Sequence, residues 1–266
     1  MTSGFDLFLF SKNEALIRSA VAAGVRGLVI DWENKGKIDR QQRADTQINY
    51  DTPGDLRAVR GMTGARILCR INGPEVIARE EIEDAIQGGA DEILVPMVCN
   101  TSQVERILKT VDGRCGVGIL VETQAAIDAA ADLGRLPVTR VYVGLNDLAI
   151  DRGSGCLFTA LVDGTVDGIR EYFPMPFGIA GVTLPHCGNP IPCRLLIAEL
   201  ARLSCSFSFL RRSFLRDILG HELSREVPKI LEALTDATRR DSRQVAADHQ
   251  ALVKAVQYLE DAGRAG

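Results

Sequence analysis

The sequence predicts an α/β protein, a (β/α)8 TIM barrel with extra C-terminal helices. Three observations predict it. Short runs rich in β-branched and apolar residues recur eight times along 266 residues, with longer helical segments between them. The segment after the first run is SKNEA, which has none of the glycines that an open, doubly wound sheet places there to bind phosphate. Arg70, Glu122 and Asp147 each stand where an apolar run stops, with 25 residues between Glu122 and Asp147 and 52 between Arg70 and Glu122. That spacing matches one and two strand-helix units, so the three charges project from one rim of a parallel sheet.

Strands are expected at 5–10, 27–32, 66–71, 92–98, 116–122, 140–145, 178–184 and 205–210. Helices fit between them at 12–23, 54–62, 75–88, 101–111, 123–133, 159–172 and 191–203. Ser11, Thr52 and Asn100 are cap residues for three of these, and Gly88-Gly89 ends another. The barrel occupies 1–221 and a helical extension 222–266. In the last helix Val245, Leu252, Val253, Val256 and Leu259 form an apolar stripe that packs either on its own barrel or on a neighbouring subunit. The polar segment 33–53 follows strand two on the functional rim, a place where long loops serve as lids or substrate loops.

Composition excludes several classes. With 46% hydrophobic and 25% charged residues the chain has the make-up of a globular protein with a large core. No apolar stretch reaches the ~20 residues that span a bilayer, and no signal sequence is evident, so the expected location is cytoplasmic without membrane attachment. A net charge of −4 with dispersed basic residues lacks the footprint of a nucleic-acid binder and favours a small-molecule partner. Seven scattered cysteines without a C-x-x-C pair fit reduced, packed thiols.

Charge at the end of a buried strand is costly unless it is paired or binds something. The expected functional rim carries Asp31, Glu33 and Asn34, then Arg70 and Asn72, Glu122, Leu145, Asn146 and Asp147, Thr183 and His186, and Arg211 and Arg212. Two carboxylates on neighbouring strands suit a hard divalent cation, Mg²⁺ or Mn²⁺, better than zinc. An arginine beside them supplies a fork for a carboxylate or an enolate oxygen. Such a site binds a 2-oxo acid and stabilises the enolate formed when a carbon–carbon bond breaks or forms. Arg211, after the last strand, is a candidate anchor for a phosphate or second carboxylate, and Lys35 and Lys37 are candidates to close over an anionic substrate.

The ordered runs GVRGLVIDWEN, CRINGPE, GGADEILVPMV, ILVETQAAIDAA and VYVGLNDLAIDRG resemble the HpcH/HpaI aldolase and citrate lyase β-subunit family, within the phosphoenolpyruvate-utilising barrel superfamily. The resemblance covers residues 24 to about 155. It implies that Glu122 and Asp147 ligate the metal, that Arg70 contacts the oxo acid, and that Asp31 and Glu33 form the acidic pair ordering the site. It also implies a metal-dependent lyase of 2-oxo acids or acyl-CoA adducts, assembled as a homo-oligomer, a trimer or hexamer. Two positions depart from the aldolase branch. Asn34 stands where a histidine would act in acid–base catalysis, and Leu120 stands where a glutamine would precede the metal glutamate. An amide does not exchange protons near neutral pH, which leaves His186 as the one histidine expected near the site. Decarboxylation by the same enolate, or a barrel that has lost catalysis and serves as a binding or assembly subunit, are the other expectations.

Overall fold

The computed structural model describes residues 4–35 and 50–264. Eight strands form a closed barrel in sequence order: β1 (Asp6–Phe10), β2 (Gly27–Asp31), β3 (Arg66–Arg70), β4 (Glu92–Val95), β5 (Gly116–Val121), β6 (Arg140–Val143), β7 (Phe177–Val182) and β8 (Phe207–Leu210). Every pairing is parallel, and β8 returns to β1. The fold is the one expected, and each strand lies within or at the edge of its expected run.

The helices follow local chemistry. In α1 (Glu14–Ala22) the capping side chain is Asn13, which accepts from the Leu16 N–H at 2.9 Å, whereas Ser11 accepts from Asn13 itself. Thr52 before α2 (Pro53–Met62) and Asn100 before α4 (Thr101–Val111) both close capping boxes, as expected. Between those two, α3 (Arg79–Gln87) ends at Gly88, and Gly89 takes φ +89, a conformation glycine adopts without penalty. The expected helix at 123–133 is broken at Ala129 into α5 (Gln124–Asp128) and α6 (Ala130–Leu133).

The main departure lies after β6. The chain turns at Gly144 into α7 (Leu145–Asp151), so Leu145, Asn146 and Asp147 occupy the first turn of a helix where a strand end was expected. Beyond it, the single helix expected at 159–172 is a 3₁₀ turn at Thr159–Leu161 followed by α8 (Thr165–Arg170), because Gly164 takes φ +85 between them. A short α10 (Arg212–Asp217) follows β8.

The C-terminal helices α11 (Leu223–Ala237) and α12 (Ser242–Arg264) pack on the outside of their own barrel, over α9 (Cys193–Arg202). Leu252 and Val256 of the apolar stripe are fully buried. Arg240 donates to the Ala198 carbonyl at 2.7 Å, and the Thr159 hydroxyl donates to Glu260 at 2.6 Å.

Two cores result. One lies between strands and helices. The other fills the barrel with Phe8, Val29, Leu68, Leu94, Leu120, Tyr142, Phe207 and Phe209. At the closed end Arg140 donates to Glu92 at 2.5 Å, with both side chains under 5% exposed. The Arg140 guanidinium lies 4.7 Å from the Phe8 ring centre and 4.8 Å from that of Phe207. A Cβ on Gly118 would come within 2.6 Å of Glu92 Oε1, so glycine makes room for this plug.

Candidate active site

Side chains in a strand alternate between faces, so the barrel interior can be read upward in steps of two. From the interior residues of the core cluster, Leu68 leads to Arg70, Leu120 to Glu122, Tyr142 to Gly144, Phe209 to Arg211 and Val29 to Asp31. The expected site residues are therefore the next layer above an apolar floor, at the C-terminal rim where barrels carry function. There a cavity of about 440 Å³ is lined by Arg70, Glu122, Leu145, Asn146, Asp147, Arg211 and Arg212, over Phe10, Leu120, Tyr142 and Phe209.

Asp31 and Arg70 are the last residues of adjacent strands and stand opposite each other in the β2–β3 register. The ion pair follows from that register. Asp31 accepts from Arg70 Nε at 2.8 Å and Nη2 at 2.7 Å, and Glu33 Oε2 lies 3.4 Å from Nη1. Burial opposes the charge of Arg70, but Asp31 and Glu33 overcome it and hold the guanidinium firmly protonated. Arg70 keeps N–H donors beyond these contacts, and its side chain, 15% exposed, reaches the cavity. Asp31 and Glu33 are buried behind it and do not line the cavity, so they aim the arginine and do not face the cavity themselves.

Glu122 is 2% exposed, and its Oε1 accepts from the Met97 N–H at 2.9 Å. Met97 holds that N–H in place from a left-handed backbone, φ +54, a conformation that costs a non-glycine residue about 1–2 kcal/mol. The other side of the carboxylate rests on Gly144, where a Cβ would stand only 2.2 Å from Oε2. Burial, with the negative charges of Asp147 and Glu33, pushes Glu122 up to about 8, against the opposing pull of Arg70 and the Met97 N–H.

Two carboxylates lining one cavity, Glu122 with its proton affinity raised by burial and by the charge of Asp147, form a donor set suited to a hard cation. An ion of the Mg²⁺ type takes one or two protein carboxylates and leaves its other positions to water and substrate oxygens, so Glu122 and Asp147 fit it. No cluster of three or more His, Cys, Asp or Glu residues stands ready for a metal among the described residues.

The remaining expected residues divide. Leu145, Asn146 and Arg211 line the cavity, Arg211 with its Nε buried and without a hydrogen-bond partner among the described residues. His186 is exposed, does not line the cavity, and acts electrostatically on Glu226 of α11. The expected placement of His186 at the site therefore does not hold: after β7 the chain runs outward, and Asn189 and Pro190 reach the cavity in its place. Asn34 also lies off the cavity; its N–H and that of Lys35 both donate to Asn72 Oδ1, at 3.1 and 2.9 Å. Lys35 pairs with Glu81 at 3.5 Å, and Lys37 lies outside the described residues. Trp32 packs in the strand-helix core. All seven cysteines are free thiols.

Tyr142 and Gly144 were not singled out from the sequence. The run VYVG reads as a core strand, and only the two-residue phase shared with Arg140 places Tyr142 in the barrel interior and Gly144 beside Glu122.

No helix among the described residues is long and apolar enough to cross a membrane. Solved structures with the same fold include an HpcH/HpaI aldolase/citrate lyase family protein from Burkholderia cenocepacia J2315, at 13% identity and TM-score 0.61 over 82% of this chain and 93% of that one. A citrate lyase from Burkholderia xenovorans LB400 matches at 14% identity and TM-score 0.60, over 94% of this chain and 82% of the other. The citrate synthase SbnG matches at 19% identity and TM-score 0.58, over 82% and 91%. At these identities the likeness is one of fold. No curated protein gives a match to this chain. The family model for HpcH/HpaI aldolase/citrate lyase matches residues 5–155, more than half of the sequence and six of the eight strands, and the chain belongs to that family, whose membership supports a lyase-type aldolase activity.

Proposed function

We propose that the protein is a divalent-metal-dependent carbon–carbon lyase acting on a 2-oxo acid or an acyl-CoA adduct through an enolate. The observation that carries this reading is the convergence of Arg70, Glu122 and Asp147 on one cavity. Glu122 and Asp147 would hold Mg²⁺ or Mn²⁺. When bound, the ion polarises the 2-oxo group and offsets the negative charge of the enolate.

The chain's own residues do the rest. Arg70, aimed by Asp31 and Glu33, presents its remaining N–H donors to the oxo-acid carboxylate or the enolate oxygen. Asn146 offers an amide to a substrate oxygen, and Leu145 walls the cavity beside it. Phe10, Leu120 and Phe209 give the cavity apolar walls and floor. Across the barrel, Arg211 is placed to take an anionic group on the departing fragment.

Oxalate, a stable analogue of an enolised 2-oxo acid, tests the reading by calorimetry. Binding should require Mg²⁺ or Mn²⁺ and fall at least 10²-fold in Glu122→Gln and Asp147→Asn, as loss of a ligand to a small two-carboxylate site implies. Metal-independent oxalate binding, or none with either ion, overturns it. A panel of hydroxy-oxo acids and acyl-CoA adducts, monitored for release of pyruvate, oxaloacetate or acetyl-CoA, then identifies the reaction. Oxalate binding with no turnover of any adduct instead favours a barrel that binds without catalysis.

A further inference from the structure

Cleavage to a 2-oxo acid leaves an enolate whose carbon must take a proton, and no histidine lines the cavity. Asn34 and His186 both lie off it. Among the groups that do line it, Arg70 is held charged by its carboxylate partners, and Glu122 and Asp147 are the proposed ligands. Among the described residues one further proton donor remains on that lining, Tyr142.

The phase of β6 fixes where Tyr142 stands. It projects into the barrel between Arg140 of the closed-end plug and Gly144 at the rim, which puts it on the cavity floor directly below the layer of Glu122 and Arg70. Its ring is held at 4.3 Å from the Phe209 centre and 6.0 Å from that of Phe207. The hydroxyl has no hydrogen-bond partner among the described residues, and it is not one of the fully buried unsatisfied atoms, so it opens into the cavity. An aromatic side chain 9% exposed, held by two tilted ring contacts, with its hydroxyl open to the floor of a site, is positioned to donate to a bound molecule.

We propose that the Tyr142 hydroxyl protonates the enolate carbon of the 2-oxo acid from the cavity floor. This step rests on the lyase reading above. In it the phenol O–H bond breaks and a C–H bond forms at the carbon next to the oxo group. The enolate electron pair makes that bond, the oxo C=O double bond is restored, and the phenolate left behind takes a proton from water entering by the cavity mouth. Arg70, one of the charges acting most strongly on Tyr142, favours the phenolate during that interval. Burial and the charge of Glu122 keep the phenol in its protonated form at rest, so it serves as an acid.

The reverse of this step is exchange of pyruvate methyl protons with solvent, which needs no acceptor and no knowledge of the natural substrate. Pyruvate in D₂O with Mg²⁺ or Mn²⁺, followed by proton NMR, should lose its methyl signal with the wild-type protein. Tyr142→Phe keeps the ring and its packing, and should slow exchange by about 10²–10⁴-fold, the range that positioned acid–base groups supply. Metal-dependent oxalate binding should stay within about threefold of wild type, because oxalate takes no proton from the floor. Unchanged exchange in Tyr142→Phe overturns the proposal, as does an equal loss of oxalate binding, which would make Tyr142 a packing residue. Wild-type protein that binds oxalate with metal but never exchanges pyruvate also overturns it and leaves the metal site standing. Wild-type protein that fails to bind oxalate refutes the lyase reading itself.

Discussion

Gly144→Ala is the substitution by which the geometry around Glu122 stands or falls. The backbone at Gly144 has φ −83 and ψ 87, with negative φ that alanine tolerates, so the change carries no left-handed strain. Its effect comes from space alone. The new Cβ would lie 2.2 Å from Glu122 Oε2, 2.8 Å from Glu122 Cβ and 3.2 Å from Cδ, whereas ordinary contact begins at 3.4 Å. The carboxylate must therefore retreat by about 1 Å in an interior packed too tightly to absorb it freely. Retreat breaks the 2.9 Å bond from the Met97 N–H, and a hydrogen bond to a charged group contributes about 1.5–3 kcal/mol. Overpacking of this kind costs roughly 1–3 kcal/mol of stability, which leaves the barrel folded. A ligand misplaced by about 1 Å loses far more function than fold, so metal-dependent oxalate affinity should fall about 10²-fold. Urea unfolding gives the first quantity, and calorimetry at saturating Mg²⁺ gives the second. Wild-type oxalate affinity in Gly144→Ala would show that the Glu122 position is not what binds the ion. A collapse of stability beyond about 5 kcal/mol would show that the glycine serves the fold and not the carboxylate.

Three other perturbations have definite expected outcomes. Asp31→Asn should loosen Arg70 and lower both stability and oxalate affinity, since removing one partner of a buried pair costs about 3–5 kcal/mol; an unchanged melting temperature would contradict the pairing. Arg140→Met strands Glu92 at the closed end and should destabilise by a similar 3–5 kcal/mol, yet leave the oxalate affinity of the folded fraction at its wild-type value, because the plug lies below the floor. Glu122, pushed up to about 8 by burial and Asp147, sits above its unfolded value, so the stability it lends the metal-free protein is present in acid and is lost as pH rises through about 8. Metal ligation uses the ionised form, so Mg²⁺ should raise the melting temperature more at pH 9 than at pH 6, and equal shifts at both would refute the coupling.

The barrel was legible in the sequence because a buried parallel strand writes itself as a continuous apolar run, and eight such runs leave little choice of architecture. The rim charges were legible for the same reason, since Arg70 and Glu122 interrupt those runs. Orientation was harder to read. Asp31 and Glu33 share a face with the site, yet only the β2–β3 register reveals that Asp31 stands opposite Arg70 and is spent on it. The helix that carries Asp147 begins two residues before it, at Leu145, because Gly144 breaks the strand without a capping side chain. His186 looked well placed by position along the chain, but a loop's direction is set by what it packs against, and this one leads toward Glu226. Tyr142 was hidden by chemistry of its own kind, an aromatic in an apolar run whose hydroxyl draws notice only because no described residue bonds it.

The Arg140–Glu92 pair, with the guanidinium over the Phe8 and Phe207 rings, fills the barrel at the end opposite the cavity. A tube stoppered at one end imposes an order of traffic. Whatever binds deepest, against Arg70 and the floor, must arrive first and depart last, and the fragment nearer Arg211 leaves before it. Product inhibition by the deeper molecule should then be competitive with the intact adduct, while the outer fragment inhibits only where the deeper one is already in place.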